Sequence, residues 1–290
     1  MPKIRRSLAA ITLTALASIS LAACGSSSSG GSAASTTPTT ATACQKADLA
    51  LVTPGTLTVA TDSPAFPPYV VDDDPTNGKG FESAVAYEIA GKLGFAKSEV
   101  KWIRVPFNST FAPGPKKYDF DVNQVSIKPA RLKGADFSTP YYTTPQGVLV
   151  AGDSSLVGAT SVADLKDAQI GVQVGTTSLD AVNAVIAPSK QPRVFNNSND
   201  VVRALKNGQV DAIVTDLPTT LYLRDAVVDG SKLVGQFAAP GGDDWGAVLE
   251  KGSALTDCVS SAITQLKDSG ELTAITEQWI GAEAPVLALK

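Results

Sequence analysis

The chain has 290 residues, 43% of them hydrophobic and 18% charged, enough for one large or two ordinary domains with real cores. Its net charge is −4; setting aside Lys3, Arg5 and Arg6 leaves 21 of the 24 basic residues against 28 acidic ones, a net −7, which argues against nucleic acid and against a basic membrane-binding face. Histidine is absent, which excludes Ser-His-Asp and Cys-His catalysis and most zinc sites; an enzyme would need carboxylate, Lys or Tyr chemistry, and no cofactor or metal is called for.

In chain order, Lys3, Arg5 and Arg6 precede an apolar stretch, Leu8 to Leu21, too short to span a bilayer comfortably. Residues 1–23 therefore read as a targeting segment. Leu21-Ala22-Ala23-Cys24 resembles a bacterial lipobox, which implies cleavage before Cys24 and diacylation of its sulfur. Two or more acyl chains hold a protein stably on a membrane. Residues 25–43, GSSSSGGSAASTTPTTATA, carry no charge and no large apolar side chain, so 24–44 reads as an anchor with a flexible tether about 25 Å in reach.

The body alternates strand-like and helix-like runs, which predicts an α/β fold. Strands are expected at 56–61, 100–105, 119–127, 146–152, 169–174 and 210–216. Phe81, Val85, Ile89 and Leu93 recur every four residues and stop at Gly94, an amphipathic helix with Lys92 in its last turn. Further helices are expected at 177–187, closed by Pro188, at 199–208 with an Asn cap and a terminal Gly, and at 253–270 and 271–280.

KKYDFDVNQVS and KNGQVDAIVTD share a layout. Lys116 and Lys206 lie five residues before Asp121 and Asp211, and Ser126 and Asp216 lie five after. Two similar units, each with a polar residue at the carboxyl end of a strand, predict a cleft where small ligands bind. Arg131 offers a planar guanidinium for a carboxylate, and Ser126 a hydroxyl for the same anion. Gly175-Thr176-Thr177 opens a helix whose free N–H groups favour an anion. Asp216 is placed to accept from an ammonium. Read singly, Arg131 is a solvated arginine, Gly175 a turn glycine and Asp216 a cap before Leu217-Pro218. Phe137, Tyr141 and Tyr142 read as core and hinge packing, Trp102, Trp245 and Trp279 as core, and Asp72-Asp73-Asp74 as a solvated loop.

The motifs VATDSPAFPPY (59–69), GKGFESAVAYEIAGKLG (78–94), DVNQVSIKPARLKGADFSTPYY (121–142), DLKDAQIGVQVGTTS (164–178), VDAIVTDLPTTLYL (210–223) and GELTAITEQWIG (270–281) fall in the order of a known family. The body resembles the extracellular solute-binding proteins, family 3, of bacterial polar amino acid ABC importers. The resemblance implies a two-lobe periplasmic-binding-protein-like (type II) fold, with lobe 1 at 45–147 plus 241–285, lobe 2 at 150–238, and hinge crossings near 146–151 and 234–241. It implies that Arg131 binds the ligand α-carboxylate with Ser126 nearby, that Thr177 beside Gly175 supplies an N–H, and that Asp216 pairs with the α-ammonium. Asp62 would touch the side chain, and Phe107 with Phe66 or Tyr69 would sandwich it. Gln124 stands where glycine is usual, so its amide reaches into the pocket or replaces a backbone contact. Gln173 holds a position that tunes side-chain choice.

With Cys24 lipidated, Cys44 and Cys258 are left in an oxidising compartment, either as a disulfide pinning the start of the body to a late helix or as two free buried thiols. The expected function is capture of a polar amino acid, glutamine-like or glutamate, by a monomer anchored outside the membrane, and its delivery to an ABC importer permease. Arg104 and Lys128 are the candidates for a γ-carboxylate. The rivals are a same-fold cyclohexadienyl or arogenate dehydratase and a sensory amino-acid-binding module.

Overall fold

The computed structural model describes residues 44–281. The expected targeting segment, the lipobox at Cys24, the tether to residue 43 and residues 282–285 of the expected first lobe lie outside the described residues. Among the described residues no helix is long and apolar enough to cross a membrane.

The strands are β1 Leu57–Thr61, β2 Val100–Arg104, β3 Phe120–Asp121, β4 Ala135–Phe137, β5 Tyr142–Thr143, β6 Gln146–Val150, β7 Ile170–Gln173, β8 Arg193–Phe195, β9 Ala212–Asp216, β10 Lys232–Phe237, β11 Asp244–Trp245 and β12 Val248–Glu250. They form two five-stranded sheets, ordered β2-β1-β3-β12-β4 and β10-β6-β9-β7-β8. Each mixes a parallel portion with antiparallel strands. These two sheets are the centres of the two lobes of a type II fold.

Burial follows from covering both faces of each sheet. All five residues of β1 are buried. Helix Phe81–Lys92 and helix Thr256–Asp268 bring Phe81, Val85, Ile89, Val259 and Ile263 into one core with Leu57, Val59 and Phe120. In β6 the side chains alternate. Val148 and Val150 join Ile170 and Val172 on one face, while Leu149 joins Ile213 and Val201 on the other.

The chain passes between the sheets twice, and β5 and β11 pair across the two passages, Thr143 opposite Asp244 and Tyr142 opposite Trp245. Trp245 is fully buried there, its ring 4.9 Å from Tyr142 and 5.5 Å from Tyr69. Of the crossings expected near 146–151 and 234–241, residues 146–150 and 234–237 pair inside the second sheet, in β6 and β10, while 238–241 lies on the second passage, between β10 and β11.

Two other expectations are corrected. The run 119–127 holds a strand only at Phe120–Asp121. Gln124 at φ +48° turns the chain out of the ladder, and Ser126 makes only an isolated bridge to Trp245. Ser126 and Asp216 therefore do not occupy equivalent strand positions, since Asp216 ends β9. The cap of helix Ser198–Lys206 is Asn197, whose side chain accepts from Asp200 N, and the helix begins one residue before the expected 199–208.

Cys44 and Cys258 are joined as a disulfide across 214 residues of sequence. The bond ties the start of the described chain to helix Thr256–Asp268. By loop-closure entropy a cross-link of such span stabilises by about 5 kcal/mol, chiefly by restricting the unfolded chain.

Candidate functional site

A cavity of about 490 Å³ is lined from both sheets. Arg131, Ser126, Asp216, Thr177, Asp62, Phe107, Phe66, Tyr69, Gln124 and Gln173 all line it, and Gly175 stands at its edge beside Thr176. Arg131 is the only basic side chain lining it among the described residues, and Asp62 and Asp216 are its carboxylates.

Arg131 opens a short turn after Pro129 and is 8% exposed. Its guanidinium donates through Nη1 to Ser126 O at 2.8 Å and through Nη2 to Gly175 O at 2.9 Å. It lies over the rings of Phe111 at 4.6 Å and Phe107 at 5.5 Å. Two of its five N–H donors are used on carbonyls, so the fork is fixed in place while donors remain for an anion. Burial lowers its pKa, opposed by Asp243, Asp180 and Asp216. The contact with Gly175 reaches from the first lobe to the loop after β7. Gly175 has φ +74°, a backbone conformation that strains most other residues, and a Cβ there would also displace the Asn108 side chain, whose Oδ1 would lie 2.3 Å away.

On the facing side, Asp216 ends β9. Its Oδ1 accepts from Gln146 Nε2 at 2.8 Å. Burial raises the Asp216 pKa well above the ordinary carboxylate value, with Asp243 adding to the rise; Gln146 and Arg131 only partly offset it. An incoming ammonium would add a positive charge beside Asp216 and favour its ionised form. Tyr69 OH and Thr219 Oγ1 meet at 2.9 Å across the cleft. Tyr69 is thus held against Trp245 and Thr219, while Phe66 stays half-buried at the cavity wall.

Asp62 Oδ1 accepts from Ser63 N at 2.7 Å. Burial raises its pKa, partly offset by the N–H groups of Ser63 and Phe107 and by Arg104. Arg104 itself is engaged outside the cavity, donating to Asp62 O at 2.5 Å and pairing with Asp73 Oδ1 at 2.9 Å. Lys128 Nζ donates to Gly242 O at 2.5 Å and Pro240 O at 3.1 Å. Neither lines the cavity, which corrects the expectation that one of them could meet a γ-carboxylate. Gln173 Oε1 accepts from Ser198 Oγ at 2.6 Å.

Three polar residues beneath the site carry no signal in the sequence pattern. Glu82, in the first turn of its helix, is fully buried. Its Oε1 accepts from Gln124 N at 2.7 Å and Tyr141 OH at 2.5 Å, and its Oε2 accepts from Gln124 Nε2. The Gln124 amide is therefore anchored on Glu82 rather than free in the pocket. Burial raises the Glu82 pKa to about 7 against those hydrogen bonds. Gln146, in β6, reads as an ordinary strand residue, and Asp243 lies in PGGDDWG, which reads as a plain turn. Asp243 is 1% exposed and accepts from Ser126, Gln146 and Thr177.

Two lobes around a cleft, with a guanidinium and a carboxylate lining it, define a binding protein of the periplasmic type II class. Residues 57–282 match the profile of the bacterial extracellular solute-binding proteins, family 3, and the chain belongs to that family. It is 30% identical over 233 residues to the L-cystine-binding protein TcyJ of Escherichia coli (strain K12), covering 79% of this chain and 84% of that protein. Among solved structures it is similar to an ancestral arginine-binding protein bound to glutamine (33% identity, TM-score 0.67, 79% of this chain and 99% of that one). It is also similar to the ancestral amino acid-binding protein AncCDT-1, a precursor of cyclohexadienyl dehydratase (30% identity, TM-score 0.65, 78% and 95%).

Proposed function

We propose that the protein captures a single amino acid with a glutamine-like side chain between its lobes and delivers it to the permease of an ABC importer. The observation that carries this reading is the presence of Arg131 and Asp216 on one cavity, a cation for the α-carboxylate and an acid for the α-ammonium. The amides of Asn108, Asn123 and Gln173 line the same space and favour a neutral polar side chain. A γ-carboxylate would meet no second basic side chain there, so glutamate is disfavoured. Charge-assisted hydrogen bonds contribute about 1.5–3 kcal/mol each, so three or four reach the roughly 8 kcal/mol of micromolar binding.

A thermal-shift panel of the twenty L-amino acids tests the reading. L-glutamine at 100 times its Kd should add about 2.7 kcal/mol of stability. Stabilisation by glutamate with none by glutamine would overturn the side-chain assignment, and no stabilisation by any amino acid would overturn the function.

Anchoring through Cys24, with the monomer on the outer face of the membrane, belongs to the same proposal. Its support is the lipobox and the tether, and labelling with palmitate that is lost in Cys24→Ser is the expected result. The dehydratase reading draws on the likeness to AncCDT-1 and on the raised pKa of Asp62, an acid able to protonate a leaving hydroxyl. Turnover of prephenate or arogenate by the purified protein would favour it over binding.

A further inference from the structure

We propose that Asp243 is a positioning residue that turns the hydroxyls of Ser126 and Thr177 into acceptors for the ligand ammonium. The proposal rests on the amino-acid reading above. Asp243 is buried behind the site and does not line the cavity. Its Oδ1 accepts from Ser126 Oγ, and its Oδ2 accepts from Thr177 Oγ1 at 3.0 Å and from Gln146 Nε2 at 2.6 Å.

A hydroxyl has one proton and two lone pairs. With both protons directed at Asp243, the Ser126 and Thr177 oxygens, 3.4 Å apart and both on the cavity wall, have only lone pairs left. A ligand carboxylate is repelled there and is left to Arg131. A ligand ammonium finds acceptors in both hydroxyls and in the carboxylate of Asp216. Gln146 extends the arrangement, because the same Nε2 that donates to Asp243 also donates to Asp216. Ser126 thus acts in the opposite sense to the sequence expectation, which made it a donor to the anion. Asp243 also joins the lobes: Ser126 comes from the first, and Thr177 and Gln146 from the second.

Asp243→Asn keeps the shape and one acceptor oxygen, which Gln146 can retain. Its new amide donor then stands in the place of Oδ1 and turns the Ser126 proton toward the cavity, while Thr177 still donates to the retained oxygen. Titration calorimetry with L-glutamine should show about a tenfold loss of affinity for Asp243→Asn in the otherwise unchanged protein. In the Ser126→Ala/Thr177→Val background the same change should cost less than about twofold, since no hydroxyl remains to orient. Equal losses in the two backgrounds overturn the proposal, because a merely structural residue would weaken both alike.

If Asp243→Asn fails to fold, Ser126→Ala alone decides the matter. It should weaken L-glutamine and leave unchanged the competition by glutaramate, the same molecule without its amino group. Equal weakening of both probes overturns the proposal. Failure of the wild-type protein to bind any amino acid would remove the function and this inference together, whereas equal losses in the cycle remove only the role of Asp243.

Discussion

Arg131→Ala should abolish binding of every amino acid that the wild-type protein takes up, with the fold intact. Arg131 is the only basic side chain on the cavity wall among the described residues, and its guanidinium is held rigidly by two carbonyls and two rings. Its remaining N–H groups can give a carboxylate two charge-assisted hydrogen bonds, about 3–6 kcal/mol in all, or a loss of roughly a hundredfold to more than ten-thousandfold. The truncation vacates space in which water can satisfy the carbonyls of Ser126 and Gly175, so the cost to folding is small beside the cost to binding. Arg131→Lys should lose nearly as much, because an ammonium keeps the charge without the fork. Calorimetry checks the affinity and circular dichroism the fold. An alanine variant that binds within tenfold of the parent would show that the carboxylate docks elsewhere.

The second large effect is on stability against pH. Glu82 is fully buried, and burial raises its pKa from 4.5 to about 7. Asp121 is fully buried with neither carboxyl oxygen partnered, and its pKa is raised further in the same sense by burial and by Glu82. A carboxyl whose pKa is higher folded than unfolded keeps a proton that the unfolded chain releases. Its contribution is complete below the unfolded value and is lost as pH rises through the folded one.

Glu82 alone therefore implies that unfolding free energy falls by about 3 kcal/mol between pH 4.5 and pH 7.5. Below that window Asp136, Asp164 and Glu271, whose pKa values are lowered by hydrogen bonds or a lysine partner, destabilise the fold as they protonate. Urea unfolding at half-unit intervals should thus show a maximum near pH 4.5–5. Glu82→Gln should flatten the decline above it, though it costs some stability by setting an amide donor against the Gln124 amide. A wild-type profile that is level from pH 5 to 7.5 would mean that Glu82 and Asp121 are not held in their neutral forms. Gln124 lines the cavity and hangs on Glu82 through both its N–H and its amide, so the same titration reaches the ligand site.

The α/β class, the helix at 81–92, the cation at Arg131 and the acid at Asp216 were legible in the residues themselves. Each rests on something local: a four-residue apolar repeat, a run of apolar residues ended by a polar one, or a motif of fixed spacing. The ends of the crossings are not legible, because β6 and β10 have strand patterns wherever they are used, and only their pairing with each other assigns them to the second sheet. The strand at 119–127 was overextended because nothing in its composition announces the left-handed turn at Gln124, which the buried carboxylate of Glu82 holds from 42 residues away.

Asp243 could not be found from sequence either. It sits in a glycine-rich turn, and its meaning comes from Ser126, 117 residues away, and Thr177, 66 residues away. Local chemistry thus determined which groups the protein can offer an amino acid. Folding alone decided which way their hydrogens point, because a hydroxyl's direction is set by whatever acceptor the tertiary structure brings within reach.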